Sequence, residues 1–135
     1  MSEPIVFISH FRIRPGTFEA LRDLALETTE RLRAEKPSTA LFLSYVDEDH
    51  GVIHFLHAFA DAEAMDLHIA DADDRARAAY EFTEPIGWEF YGRPSPGVLD
   101  SIRQVADATG AKLDVHPDIL TGFLRLGGAG PLDNR

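Results

Sequence analysis

The amino-acid sequence predicts a single domain of the α+β class. Runs rich in β-branched and aromatic residues, which are typical of strands, alternate with segments of helical periodicity. Prolines, glycines and capping residues separate these runs at short intervals. The length of 135 residues is enough for one compact domain with a modest core. Together these observations favour one sheet with helices packed on it.

The first strand and the first helix are the clearest elements. The alternating segment Ile5–Ile13 ends at the turn-forming tripeptide Arg14-Pro15-Gly16. Alternation places its odd-numbered residues on one face and its even-numbered residues on the other. A helix is predicted from about Phe18 to Glu35, with Thr17 as its N-cap and Lys36-Pro37 as its end.

A hairpin, a second helix and a fourth strand follow. Asp61 is placed to cap the second helix, and Glu84-Pro85 separates that helix from the last strand. The predicted elements are, in chain order, Thr39–Val46, Val52–Phe59, Ala62 to about Tyr80, and Trp88–Tyr91.

This β-α-β-β-α-β order is that of a ferredoxin-like sandwich, with two helices on one face of an antiparallel sheet. We assign residues 1–95 to this domain and residues 96–135 to a C-terminal extension. The extension is expected to pack on the same domain or on a partner subunit. Its predicted parts are a short helix from Val98 to Gly110, extended pieces at Lys112–His116 and Leu120–Leu126, and a loose tail at Gly127–Arg135.

The other face of the predicted sheet is also apolar, because Val6, Ile8 and Leu56 alternate with core residues. An apolar sheet face left in water becomes an association site. A second copy of the chain closes such a face most simply, so we expect a homodimer in which sheet packs against sheet.

Composition excludes several classes of function. The formal net charge is −10, which disfavours binding to nucleic acid or to an anionic membrane surface. The sequence contains no cysteine, so disulfides, thiolate catalysis and cysteine-based metal sites are ruled out. No apolar run is long enough to span a bilayer, and the first residues lack the basic region of a secretory signal. A cytoplasmic protein is expected.

Motifs for metal, phosphate or serine chemistry are missing. His54 and His57 have tempting spacing, but positions i and i+3 of a strand point to opposite faces and cannot bind one metal. Phosphate-binding glycine loops and nucleophile elbows are absent from the sequence. We therefore predict no metal site and no cofactor.

His68 is the most informative single residue. It lies in the apolar stripe of the second helix, which must face the sheet, and pockets form in such helix-to-sheet gaps. An imidazole there could bind a phenol or accept its proton. The alternative is a core histidine bonded to a backbone carbonyl, or a histidine at the margin of the helix.

Polar and aromatic residues on the same sheet face are the second signal. Ser9 and His57 lie among aromatic residues and need partners if they are buried: each other, water or a ligand. Tyr80 ends the helical stripe below His68 and could close a pocket, or could be a half-buried surface tyrosine. Phe59 and Trp88 could supply walls, whereas Phe7, Phe11 and Phe55 are expected to form core.

Two short segments and the element order resemble the antibiotic-biosynthesis-monooxygenase-like domains of the dimeric α/β barrel group. One segment is Phe11-Arg12-Ile13-Arg14-Pro15-Gly16, before the first helix. The other runs from the strand-end aromatic Phe59 through an acidic, alanine-rich stretch to His68. The resemblance covers about Ile5 to Arg93.

The resemblance implies a homodimer with one pocket per subunit, between sheet and helices. It also implies a cofactor-independent monooxygenase that acts with O₂ on a phenol- or quinol-like aromatic molecule. In that function His68 would be the base or hydrogen-bond partner, and Ser9 and His57 would orient the substrate oxygen. The stacking walls would be Phe59, Tyr80 and Trp88.

Three departures from the family pattern bear on this function. Phe59 stands where the family commonly has Trp, and Ser9 stands where haem-degrading relatives have Asn; both departures argue against haem. A second His that often follows later in the family is replaced by a stretch containing Asp71, Asp73 and Asp74. The alternatives are a ligand-binding or sensing dimer without catalysis, and a structural dimer whose pocket is filled by its own side chains.

Overall fold

The computed structural model describes residues 3–125, which form five strands and four helices. The strands are β1 (Ile5–Ile13), β2 (Thr39–Asp47), β3 (Val52–Phe59), β4 (Thr83–Tyr91) and β5 (Lys112–His116). The helices are α1 (Phe18–Glu35), α2 (Ala62–Ile69), α3 (Ala72–Ala79) and α4 (Pro96–Thr109). Within these residues no helix is long and apolar enough to cross a membrane.

The strands form one sheet in the order β2-β3-β1-β4-β5. The first four strands pair antiparallel, and β5 adds to β4 in parallel. This confirms the predicted α+β class and the ferredoxin-like arrangement, with β5 as an additional strand. The sheet is therefore mixed, and β1 is its central strand.

The two faces of β1 differ as alternation predicts. Ile5, Phe7 and Phe11 are buried in one hydrophobic core together with residues of α1, α2 and α4. Val6 and Arg12, which point the other way, are exposed. We call this second side the open face. From β2 to β5 its residues include Leu41, Leu43, Tyr45, His54, Leu56, Val6, Ile8, His10, Glu89, Tyr91, Asp114 and His116.

The second helix is not continuous to Tyr80 as predicted, but divides into α2 and α3. Asp61 caps α2 by accepting a hydrogen bond from the Ala64 amide at 2.8 Å. At the other end, Lys36 Nζ donates to the Leu67 carbonyl at 2.9 Å, and Arg75 donates to the His68 carbonyl at 2.6 Å. These two carbonyls would accept amide bonds in a continuous helix. Side chains bind them instead, which allows the helix to end.

Strand β4 begins at Thr83, five residues earlier than predicted. Pro85 lies inside the strand, where the register against β1 shifts between His10 and Phe11. A proline has no amide to donate to the ladder, and a bulge accommodates that loss. The prediction that Glu84-Pro85 separates the second helix from the last strand was therefore wrong, because both residues belong to that strand.

The C-terminal region belongs to the same core. Val98 and Ala106 of α4 are buried against it, and β5 pairs with β4. The second extended piece predicted from Leu120 forms no strand over residues 120–125. The tail predicted at Gly127–Arg135 lies outside the described residues.

Candidate functional site

His68 faces the interior between α2 and the sheet. The residue is only 3% exposed, and its ring lies edge to face with the rings of His57 and Phe59. The ring nitrogen Nδ1 lies 2.7 Å from Oγ1 of Thr39, the first residue of β2. The inward direction follows from the spacing of His68 and the buried Met65 on one side of α2.

His57 is buried beneath His68 on β3. Its Nδ1–H donates to the carbonyl of Phe7, on the neighbouring strand β1, at 3.2 Å. This bond identifies Nδ1 as the protonated nitrogen of the neutral ring and leaves Nε2 as the acceptor. We call His57 and His68 the histidine pair; their ring centroids are 5.0 Å apart.

Both rings of the histidine pair are held neutral. Burial lowers the pKa of His57 to about 4, against the opposing effect of the Phe7 carbonyl. Burial also lowers the pKa of His68 to about 3, with further lowering from the nearby His57, Arg75 and Lys36. A ring with so low a pKa is a weak base, so at neutral pH the pair offers hydrogen-bond acceptors rather than positive charge.

An ion-pair network fixes the end of α2 behind His68. Asp71 accepts from Lys36 at 3.0 Å and from Arg75 at 2.6 Å, and these two bonds lower its pKa to about 2. The same two cations bind the backbone carbonyls of Leu67 and His68. Their charge is therefore engaged at the helix end, close to the site but not inside it.

Aromatic rings continue from the histidine pair along the sheet. Phe42 of β2 contacts His57 at 5.1 Å between centroids and stacks on Phe55 at 6.0 Å. Phe55 and Trp88 each meet Phe11 edge to face. We call this set the aromatic layer: Phe7, Phe11, Phe42, Phe55, Phe59, Tyr80, Trp88 and Phe90, with the histidine pair.

The aromatic residues and histidines predicted for the site form two groups, according to which rings contact one another. His57, Phe59 and His68 are in mutual ring contact. Tyr80 lies on the other side of Phe11, at 6.2 Å between centroids, and is half-buried, which raises its pKa. Trp88 also adjoins Phe11, so the second group forms around that ring.

Ser9 lies on β1 between these two groups. It is buried and sits opposite Phe55 on β3 and Trp88 on β4. His57 does not bond to Ser9, although the two were considered as partners, because its Nδ1–H is directed at the Phe7 carbonyl.

A depression of about 410 Å³ lies elsewhere, beside the turn after β1. Its lining includes Arg14, Gly16, Phe18 and Glu48. It does not reach the histidine pair, whose immediate surroundings are the rings of Phe42 and Phe59 and the Thr39 hydroxyl. The half-buried Phe42 and Phe55 form the more accessible margin of the aromatic layer.

His54 and His57 point to opposite faces of β3, as the strand geometry predicts. His54 bonds to His10 on the open face, while His57 is enclosed by the aromatic layer. Within residues 3–125, no three His, Asp or Glu side chains converge in a way that could hold a metal ion.

Sequence reasoning missed Thr39 and Phe42 as neighbours of the histidine pair. Both come from β2, and Phe42 lies directly opposite His57 in the hairpin register. The short loop between β2 and β3 contains the signal for Phe42, because loop length sets register. The contact between Thr39 and His68 depends on how α2 packs, which no local pattern gives.

Comparison with known proteins gives matches by structure alone. No protein-family model matches the chain, and no curated protein is detectably similar in sequence. MupZ from Pseudomonas fluorescens superimposes with a TM-score of 0.67 over 91% of this chain and 95% of its own, at 15% identity. Because this coverage exceeds residues 1–95, the match includes part of the C-terminal region.

Two further structures each match 70% of the chain. A candidate antibiotic biosynthesis monooxygenase from Caulobacter crescentus has a TM-score of 0.60 at 15% identity, over 70% of this chain and 92% of its own. SnoaB, a cofactor-independent oxygenase from Streptomyces nogalater, has a TM-score of 0.55 at 12% identity, over 70% of this chain and 96% of its own. The chain thus has the fold of antibiotic-biosynthesis-monooxygenase-like proteins, which confirms the resemblance at the level of fold.

Proposed function

We propose that the protein is a cofactor-independent monooxygenase that oxidises a small phenol- or quinol-like aromatic molecule with O₂. The observation that carries the proposal is the histidine pair, buried and neutral within the aromatic layer of this fold. Aromatic walls suit a flat substrate, and two imidazoles supply the few polar contacts that would orient it. The cytoplasmic location remains part of this proposal.

The substrate supplies the electrons in this reaction. When a CH₂ group conjugated with a phenol becomes a C=O group, it releases the four electrons that reduce O₂. One oxygen atom enters the carbonyl and the other leaves as water. The protein has to bind the phenol, exclude water and assist loss of a proton.

His68 would accept a hydrogen bond from the substrate hydroxyl, with Thr39 holding its ring. Its low pKa means that it assists by hydrogen bonding first, and accepts a proton only as negative charge on O₂ develops nearby. His57 and Ser9 would orient the substrate oxygen from the sheet. Phe59, Tyr80 and Trp88 would stack against the ring, and entry would take place beside Phe42 and Phe55.

The proposed enzyme is a homodimer formed through the open face. Leu41, Tyr45 and Tyr91 are exposed there, beside the less exposed Ile8 and Leu56. An exposed apolar surface on a five-stranded sheet is typical of an interface, and a two-fold axis lets one surface cover itself. The second copy is therefore the partner that we propose for this face.

Close packing around the histidine pair favours one second candidate, a dimer without turnover. Phe42 and Phe59 contact the rings of the pair directly, and Thr39 occupies Nδ1 of His68. Such a site could bind a ligand without oxidising it, or could serve only as core. Thermal stabilisation by an aromatic compound without product would support binding alone.

Oxygen uptake with hydroquinones and with anthrone-like compounds tests the enzyme directly. We expect uptake with wild type and a loss of at least about tenfold in His68→Ala. His50→Ala is the matched control, because His50 lies in the exposed hairpin loop. Equal rates for His68→Ala and wild type would remove His68 from the mechanism. No uptake with any compound of these classes would contradict oxygenase activity.

A further inference from the structure

Three side chains on the open face form a hydrogen-bonded cluster that the proposed reaction does not use. Nδ1 of His10 lies 2.7 Å from Nδ1 of His54, and Nε2 of His10 lies 2.6 Å from Oε2 of Glu89. We call these residues the open-face cluster. They come from β1, β3 and β4, the three middle strands of the sheet. A second sheet packed on the open face would cover them.

The geometry limits how many protons the cluster can hold. Glu89 only accepts, so Nε2 of His10 carries the hydrogen of that bond. A single hydrogen lies between the two Nδ1 atoms, because two would clash at 2.7 Å. The two rings can therefore share at most one positive charge. A further proton has to break the bond between His10 and His54.

Neighbouring groups do not relieve this limit. The Tyr91 hydroxyl donates to the other oxygen of Glu89 at 3.2 Å, so both oxygens of Glu89 are already engaged. The Tyr91 ring stacks on His116. Arg12 is directed toward Glu84 at 3.6 Å. Burial and His10 lower the pKa of His54, and the bond from His10 lowers the pKa of Glu89. The charged and titratable groups that face the cluster are Arg12 on β1, Tyr45 and Asp47 on β2, Glu84 and Tyr91 on β4, and Lys112, Asp114 and His116 on β5.

We infer that the open-face cluster is a proton-sensitive lock, which holds two copies of the chain together when the His10–His54 bond is intact and releases them when a further proton breaks that bond. This inference rests on the homodimer of the proposed function. In the dimer each cluster loses its remaining water, so a second positive charge there becomes more costly than in the monomer. Acid therefore favours the monomer.

Acid weakens the dimer through the open-face cluster but would strengthen it through the net charge of the chain, so the two effects can be distinguished by their sign. At neutral pH two copies that each carry a formal charge of −10 repel one another. Acid reduces that repulsion and would by itself strengthen association. A dimer that weakens in acid therefore requires a local cause with the opposite sign.

Analytical ultracentrifugation between pH 7.5 and pH 5.5 tests the lock. The pKa of His54 is already lowered in the single chain, so the dimer Kd should stay nearly constant above pH 6.5. Below that pH we expect it to rise, approaching about tenfold to a hundredfold for each pH unit, because one or two protons are taken up as two clusters separate. His54→Gln keeps a hydrogen-bonding side chain but cannot be charged, and should make Kd nearly independent of pH. His50→Gln changes an exposed histidine that is not part of the cluster and should retain the wild-type dependence.

The outcomes distinguish the lock from the dimer on which it rests. A dimer whose Kd does not rise in acid overturns the lock and leaves the proposed dimer standing. A wild-type pH dependence in His54→Gln also overturns it. A monomer at every pH overturns both proposals. Far-ultraviolet circular dichroism at each pH shows that the variants compared are folded.

Discussion

His57 and His68 meet edge to face in the core, with ring centroids 5.0 Å apart. One ring comes from a strand and the other from a helix, and each has a bond of its own: His57 to the Phe7 carbonyl and His68 to the Thr39 hydroxyl. Two adjacent rings that resist protonation make the core sensitive to acid.

The histidine pair predicts a loss of stability between pH 6.5 and pH 5. Both folded-state pKa values, about 4 and about 3, lie below the 6.5 of the unfolded chain. The unfolded state therefore binds more protons in this range, and stability is full above pH 6.5 and falls as pH falls. Each histidine should remove about 2 kcal/mol at pH 5. Urea denaturation at several pH values measures this.

Replacing one ring should reduce that dependence. His68→Gln is expected to lower the pH slope of the unfolding free energy by about a third to a half, since His57 and the less strongly shifted His54 still titrate. His50→Gln should not change the slope, because His50 is exposed. The carboxylates with lowered pKa values, including Asp71, titrate below this window. An unchanged slope in His68→Gln would contradict the burial of that ring.

The Thr39 hydroxyl should contribute to the stability of the fold, although Thr39 lies at the start of a strand. Thr39→Val leaves Nδ1 of His68 without its partner and should cost about 1–3 kcal/mol of unfolding free energy. Thr39→Ser keeps the hydroxyl and should recover most of that loss. Urea denaturation at pH 7.5 compares them. Equal stability of the two variants would show that the bond contributes nothing.

Gly92 should not tolerate a side chain. Its φ is +109°, and a Cβ there would lie 2.7 Å from the Pro4 carbonyl oxygen. Gly92→Ala should therefore destabilise the fold by about 2 kcal/mol or more. Gly97→Ala is the matched control: Gly97 lies in α4 with open space around it, so stability should stay unchanged or rise by at most about 1 kcal/mol. Thermal unfolding that ranks the two variants the other way would contradict this.

A charge on the open face should separate the subunits without unfolding them. Ile8→Asp places a carboxylate on the central strand of that face, and burying it against a second copy would be costly. We expect a monomer by light scattering, with an unchanged circular dichroism spectrum. Leu26→Asp changes an exposed residue of α1 and should leave association unaffected. Loss of association in both variants would mean that the effect is not specific to this face.

Sequence periodicity predicted those features of the fold that depend on neighbouring residues alone. The alternation of β1 gave both sheet faces, and the stripe of α2 gave the inward direction of His68. The division between α2 and α3 could not be predicted, because Lys36 and Arg75 bind the helix end from a distance in sequence. The length of β4 was missed because a bulge accommodates Pro85.

The same limit applies to the candidate site. Alternation and register place His10 and His54 on one face. They do not predict that the two rings lie within hydrogen-bonding distance of each other. The neighbours of His68 depend on how α2 is seated over β2, which is a tertiary property. Residue type and face were thus predictable, whereas bonded partners were not.

The pairing of β5 with β4 makes the last part of the chain necessary to the first. A chain that ended at residue 95 would expose the backbone edge of β4 and lose α4, whose Val98 and Ala106 belong to the same hydrophobic core as Trp88 and Phe90. A bare, apolar strand edge is a template for uncontrolled pairing with other molecules. The truncated protein would therefore tend to aggregate, so β5 also protects the edge of β4 from pairing with other molecules.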